Sequence, residues 1–347
     1  MGAGIAQVAL EAGDEVILHD LDPKSIARAR DRVRGGLARR AATIEIGDTA
    51  IDGWVDLRLD RLRSADTLSA LAGEAEIVIE AVIEDLELKR TIFRTLDATA
   101  GLDTILATNT SALSVAAIAT AAARPERVVG LHFFNPVPLM TLVELVVTEV
   151  AAPRVVERAE ALVARWGRTA VRCADTPGFI VNRVNRPFTI QALRMVEAGE
   201  ASIDGIDLAM REAGFPMGPF ELMDLVGIDV NLAAATAIWE RLGRPEHLRP
   251  SPIQARLVAA GRLGRKTGSG FYRYDDGVRL GVEGDVAGPS VAGIAANVIR
   301  ERIVGAVADE GRRLVADGIA TATDIALALR LGAGHPQPTT SGSARVP

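Results

Sequence analysis

His132 and Glu144 are the two residues whose types and spacing point most directly to chemistry in this chain. His132 is one of only four histidines and opens the stretch HFFNPVPLMTLVE, with the acid twelve residues further on. A neutral imidazole titrating near physiological pH can take the hydroxyl proton that an alcohol loses when its carbon gives up a hydride. A carboxylate on the other ring nitrogen would fix the ring's orientation and stabilise its charged form. Glu144 interrupts the apolar run LVELVV at 142–147, where an unpartnered charge is costly. Spacing alone equally allows a core histidine bonded to backbone and a glutamate on the solvent face of a strand.

These residues need a scaffold, and strands alternate with helices ahead of them. The pattern predicts helices over 3–12, 24–40 and 86–98, and strands over 15–19, 75–83, 104–108 and 127–131. A polar stretch separates the second helix from the second strand. Such alternation means a doubly wound parallel sheet, whose ligands sit beyond the carboxyl ends of the strands. That rule points to Glu84 and Lys89, to Asn109, Thr110 and Ser111, and to His132 after the last strand.

The chain opens MGAGIAQVALEAGDEVILHD. A dinucleotide-binding turn reads G-x-G-x-x-G between a strand and a helix, and only its end is present here, as Met1 and Gly2. An acid about twenty residues beyond such glycines takes the adenosine ribose hydroxyls and repels the extra phosphate of NADP. Asp20 stands eighteen residues after Gly2, which favours NAD, although it could instead cap the helix that starts at Pro23.

HFFNPVPLMTLVE, DTPGFIVNRV (175–184), GFPMGPFELMDLVG (214–227) and RLGRKTGSGFY (262–272) together resemble the 3-hydroxyacyl-CoA dehydrogenases, over nearly the whole chain to about residue 275. The resemblance implies an NAD-dependent oxidation of a (3S)-3-hydroxyacyl-CoA to the 3-oxoacyl-CoA, in fatty-acid or phenylacetate-type degradation. It makes His132 the catalytic base, Glu144 its orienting acid, and Ser111 and Asn182 the residues that place the substrate. Cofactor-side positions by the same resemblance are Met1, Gly2, Asp20, Val82 and Ile83, followed by Glu84, Lys89, Asn109, Ser111 and Asn135. In that family the turn reads G-x-G-x-M-G-x-G-I-A, so Met1 falls on an internal methionine and a first strand of about ten residues is expected upstream.

Simpler readings exist for several of these residues. Ser111 or Thr110 would cap a helix at 114–122. Asn182 would be a polar residue at a helix start. Lys89 would lie on the surface and pair with Asp85 four positions earlier. Against this, lysines are scarce here, being three of the 39 basic residues.

With 347 residues, 48% of them hydrophobic, the chain can bury a sizeable core, and its net charge of −6 argues against nucleic-acid or membrane-surface binding. The single Cys173 reads as a buried filler and suits a reducing, cytoplasmic setting. The scattered histidines show no metal-ligand spacing. From Pro177 the pattern turns helical, over 179–198, 203–213, 220–242 and 251–260. Residues 195–216 and 314–336 then align at an offset of 119, with Ile206, Leu208 and Arg211 against Ile325, Leu327 and Arg330.

The expected fold class is therefore a Rossmann-type α/β domain lacking its first strand (1–175), an all-α domain for substrate and dimerisation (176–275), a partial second copy of it (289–336) and a disordered tail (337–347). A linker is expected over 273–290. The expected partner is an acyl-CoA, in a homodimer. The rival readings are a sugar-acid dehydrogenase on the same scaffold, or a homologue whose catalysis is impaired.

Overall fold

The computed structural model describes residues 1–44, 47, 50–284 and 293–336. The predicted tail at 337–347 and the later part of the predicted linker, 285–290, lie outside the described residues. The chain forms two compact units that meet at Phe179 and Ile180.

In the first unit, α1 (Gly2–Glu11) leads to β1 (Val16–Leu18) and α2 (Pro23–Ala41). Asp22 caps α2 by accepting the Lys24 N–H, with Pro23 supplying a preset first turn. The stretch read from sequence as merely polar holds three elements: α3 (Ile51–Leu59), β2 (Leu62–Ser64) and α4 (Leu68–Glu74). They are too short and too weakly periodic to announce themselves, and β2 carries only one buried side chain, Leu62. Then come β3 (Ile77–Glu80), α5 (Leu86–Thr99), β4 (Ile105–Thr108), α6 (Val115–Ala119), β5 (Val128–Phe133), β6 (Leu142–Val147), α7 (Pro153–Arg165) and β7 (Thr169–Ala174).

β1 and β2 pair in parallel as a two-stranded sheet, and a second sheet runs β3-β4-β5-β6-β7. This sheet is mixed rather than purely parallel, because β6 runs antiparallel to β5. Its edge strand β7 returns parallel to β6. β4 and β5 are buried along their whole length, which explains their largely apolar sequences. α1 and α7 bury Ile5, Val8, Val156 and Val163 in one core with Leu131 and Leu145 of the sheet. Each such fully buried aliphatic side chain contributes about 1.5–3 kcal/mol.

The second unit is helical: α8 (Val181–Val184), α9 (Arg186–Glu197), α10 (Ile203–Glu212), α11 (Pro219–Val226), α12 (Ile228–Arg241) and α13 (Pro252–Ala259). The helix read over 220–242 is broken at Gly227, whose φ of 103° only glycine adopts readily. α11 and α12 consequently meet at a 102° bend. Residues read as the start of a linker form a hairpin instead, β8 (Tyr272–Asp275) with β9 (Val278–Val282). Its alternating sequence is short and mostly exposed, so it lacks the apolar signature of a strand.

Two buried acids hold this unit together. Asp207 accepts the N–H groups of Phe220 and Glu221 and the Tyr272 hydroxyl. Burial pushes its carboxyl up to about 7 despite those bonds. Asp224 accepts the N–H groups of Phe271 and Tyr272 and the Tyr274 hydroxyl. The last helices are α14 (Ala296–Ala316) and α15 (Ala322–Ala333).

Gly130 lets β5 sit against its neighbours, since a Cβ there would stand 2.7 Å from the Val146 Cβ and 2.9 Å from Val115 Cγ2. Gly130→Ala is expected to lower unfolding free energy by about 1–3 kcal/mol. An unchanged urea midpoint would show that the sheet relaxes around the methyl group.

Candidate active site

His132 lies inside β5 rather than after it, and the register of the antiparallel pair puts Glu144 of β6 directly opposite. Opposite residues in such a pair point to the same face, so the two side chains meet. The Nδ1 of His132 is 2.6 Å from Glu144 Oε2. Glu144 has no exposure and His132 only 6%, which removes the solvent-facing alternative for the acid. The rings of Phe134 and Phe179 lie 4.6 and 5.6 Å from the imidazole. A buried carboxylate accepts, so Nδ1 carries the proton and Nε2 presents its lone pair. Among the described residues Nε2 has no hydrogen-bond partner.

Ser111 follows β4, as the strand-end rule requires, but it caps nothing. The N-cap of α6 is Ser114, which accepts the Ala117 N–H. Ser111 instead gives both its N–H (2.6 Å) and its hydroxyl (3.0 Å) to Glu84 Oε1. Thr110 donates to the same carboxylate at 2.9 Å. Burial works to raise the Glu84 carboxyl, but these donors and the Lys89 ammonium at 3.6 Å outweigh it and hold it below its ordinary value. Asn109 accepts the Phe133 N–H at 2.8 Å, tying the end of β4 to the residue beside His132.

Lys89 is neither a surface residue nor an ion-pair partner of Asp85, which caps α5 by accepting the Leu88 N–H. The Lys89 side chain is 1% exposed and its ammonium lies 2.7 Å from Glu80 Oε1. Glu80 also accepts the Val82 N–H and the Thr108 hydroxyl, each at 2.7 Å. Glu80 and Thr108 were not singled out from sequence. The signal was available, because Glu80 ends the apolar run IVIE much as Glu144 interrupts LVELVV.

The remaining positions expected on the cofactor side lie in this same unit. Met1 gives α1 no side-chain cap, and its carbonyl accepts the Gly4 and Ile5 N–H groups. Gly4 keeps that first turn close to its support, since a Cβ there would meet Val137 at 2.9 Å, whereas one at Gly2 would make only ordinary contact, 4.0 Å from Ala81. Asp20 is exposed and does not cap α2; one carboxylate oxygen accepts the Asp22 N–H at 2.9 Å. Its other oxygen has no partner among the described residues. Val82 and Ile83 are exposed beyond β3, at 42% and 73%, and Asn135 is exposed after β5. Asn182 belongs to the second unit, on α8.

The lowered Glu84 carboxyl gives a signed expectation. Its contribution to stability is present above the ordinary value of 4.5 and is lost as pH falls through the lower folded value. The difference in urea stability between the wild type and Glu84→Gln should therefore close on acidification. A difference constant with pH would remove the Ser111–Glu84 bonds as its cause.

Comparison with known proteins gives the family. Residues 1–176 match the family profile described as 3-hydroxyacyl-CoA dehydrogenase, NAD binding domain, and residues 178–274 match its C-terminal domain. The 3-hydroxyadipyl-CoA dehydrogenase of Escherichia coli is 44% identical over 79% of this chain, which spans 57% of that protein. The mitochondrial hydroxyacyl-coenzyme A dehydrogenase of Rattus norvegicus is 41% identical over 79% of this chain and 88% of its own length. A crystal structure of an Escherichia coli 3-hydroxybutyryl-CoA dehydrogenase superposes with a TM-score of 0.84 at 33% identity, covering 96% of this chain and 86% of that one. With both domain profiles matched in order and the His132–Glu144 pair in place, the chain belongs to the 3-hydroxyacyl-CoA dehydrogenase family.

Proposed function

We propose that this chain oxidises a (3S)-3-hydroxyacyl-CoA to the 3-oxoacyl-CoA, reversibly, with NAD. The observation that carries this reading is the His132 ring, held through Nδ1 by a buried carboxylate with Nε2 left unengaged. Nε2 takes the proton of the substrate hydroxyl. Glu144 keeps the ring in the required tautomer and stabilises the imidazolium that results. NAD, when bound, supplies the acceptor for the hydride that leaves the same carbon. The open end of α1 and Asp20 would hold it, with Glu84 and Asn109 beside them. Ser111 and Asn182 would place the substrate.

Fatty-acid or phenylacetate-type degradation is the setting that fits best, since the relatives are named for a dicarboxylic and for general hydroxyacyl thioesters. Half-exposed Leu208, Leu225, Val226 and Val230 on α10 to α12 support a homodimer. The buried Cys173 fits a reducing cytoplasm.

We read α14 and α15 as a second copy of α9 and α10. Ser202 and Thr321 cap the second helix of each pair in the same way, accepting the N–H three residues on. Gly199 and Gly318 end the first helix of each pair with φ of 67° and 69°. The two pairs also meet reciprocally: a Cβ at Gly214 would lie 3.3 Å from Pro336, and one at Gly334 would lie 3.0 Å from Pro216.

NADH oxidation driven by acetoacetyl-CoA should be measurable with the chain as it stands. His132→Ala should lower turnover about 10²- to 10⁴-fold. Comparing 3-hydroxybutyryl-CoA with 3-hydroxyadipyl-CoA would rank the two substrate classes. A folded, NADH-binding protein that is silent toward acyl-CoA but active on a sugar acid would replace this reading.

A further inference from the structure

The backbone that carries Asn182 is gripped from one side by α14 and α15. Arg183, the next residue, has a buried side chain whose Nε donates to Glu310 Oε1 of α14 at 2.8 Å. One of its terminal nitrogens lies 3.3 Å from Asp317 Oδ2. Val184 rests on Gly311, where a Cβ would stand 3.7 Å from Val184 Cγ1. Asn185 Oδ1 accepts the His335 Nε2–H at 2.8 Å. His335 is itself enclosed by the rings of Phe188 and Phe215.

Glu310 is the centre of this grip. It has no exposure, and its second oxygen accepts from His247 Nε2 at 2.8 Å and from Arg313 at 3.2 Å. A carboxylate with three cationic or imidazole partners is fixed in place, and it fixes Arg183 in turn. Asn182 is the exception in this stretch. It is half-buried, and among the described residues its side-chain amide has no hydrogen-bond partner. An unengaged amide on an anchored turn of helix is the arrangement a ligand-contacting residue needs.

We infer that Glu310 is a positioning residue: through Arg183 it sets the α8 turn so that Asn182 meets the acyl-CoA, and this is what the α14–α15 pair does for the reaction. The inference rests on the reading that Asn182 contacts substrate. A helix of four residues makes too few internal hydrogen bonds to hold its own orientation, so its direction comes from what grips it. Glu310 itself touches neither substrate nor cofactor.

The test is a double-mutant cycle in the full chain, with Asn182→Ala, Glu310→Gln and the pair together, assayed with acetoacetyl-CoA and NADH. Each single change is expected to lower kcat, Glu310→Gln by about ten- to a hundredfold, with KM for NADH unchanged. The double variant should be no slower than Asn182→Ala alone, because both changes remove one function. If the losses multiply, Glu310 only supports the fold and the inference fails. The inference also fails if Glu310→Gln matches the wild type while Asn182→Ala is impaired. A wild-type kcat for Asn182→Ala would overturn the substrate role of Asn182 and the inference with it, and that single variant identifies this outcome. Should Glu310→Gln not fold, Glu310→Asp keeps the charge, shortens the reach and enters the same cycle with the same outcomes.

Discussion

The antiparallel pairing of β6 on β5 is the constraint on which the site depends. It places a strand-borne carboxylate directly opposite a strand-borne imidazole. Both strands are buried on both faces almost throughout, so the usual guide to register, an apolar face against a polar one, is missing. Two local fits replace it. Gly130 admits the Val146 side chain, and His132 finds its acid two positions along each strand. A slip by one residue would drive Val146 away from its gap and turn Glu144 to the opposite face, buried without its partner. The His132–Glu144 pair thus helps specify the sheet that positions it.

The nucleotide-binding half was largely legible because its apolar runs are long and its signals agree. Its gaps have physical causes. Strand β2 contributes one buried side chain, so nothing in its sequence separates it from the polar segments around it. The reversal at β6 cannot be seen in LVELVV, since a strand buried on both faces reads alike in either direction. His132 and Glu144 were found because each was a charge-bearing type in an apolar context. The same reasoning would have found Glu80, which the strand-end rule passed over in favour of the more exposed Glu84. Asp20 and Ser111 are both good cap types, but Asp22 and Ser114 stand closer to the helix starts and do the capping. In the helical half, the hairpin after Tyr272 reads as linker because its strands bury little.

Buried acids recur through both units as fasteners. Glu80 joins β3, β4 and α5; Asp97 holds Arg127 by its carboxylate and its carbonyl; Asp207 and Asp224 pin the first turn of α11 and the hairpin strand. Each accepts from several donors of different elements. A hydrophobic contact tolerates small sliding, whereas such a carboxylate leaves its donors one arrangement. The glycines beside Asp207 and Asp224 follow from this, because a Cβ at Gly218, Gly264 or Gly270 would lie within 2.1–2.4 Å of those acids or their backbone.

The Ser111 hydroxyl has one hydrogen, and Glu84 takes it. Toward anything approaching from the open side, that oxygen offers lone pairs only. It can receive the hydrogen of an alcohol but has none to give to a ketone. Two ligands differing by two hydrogens, and nearly identical in shape, would therefore be distinguished by the direction of a single hydrogen bond.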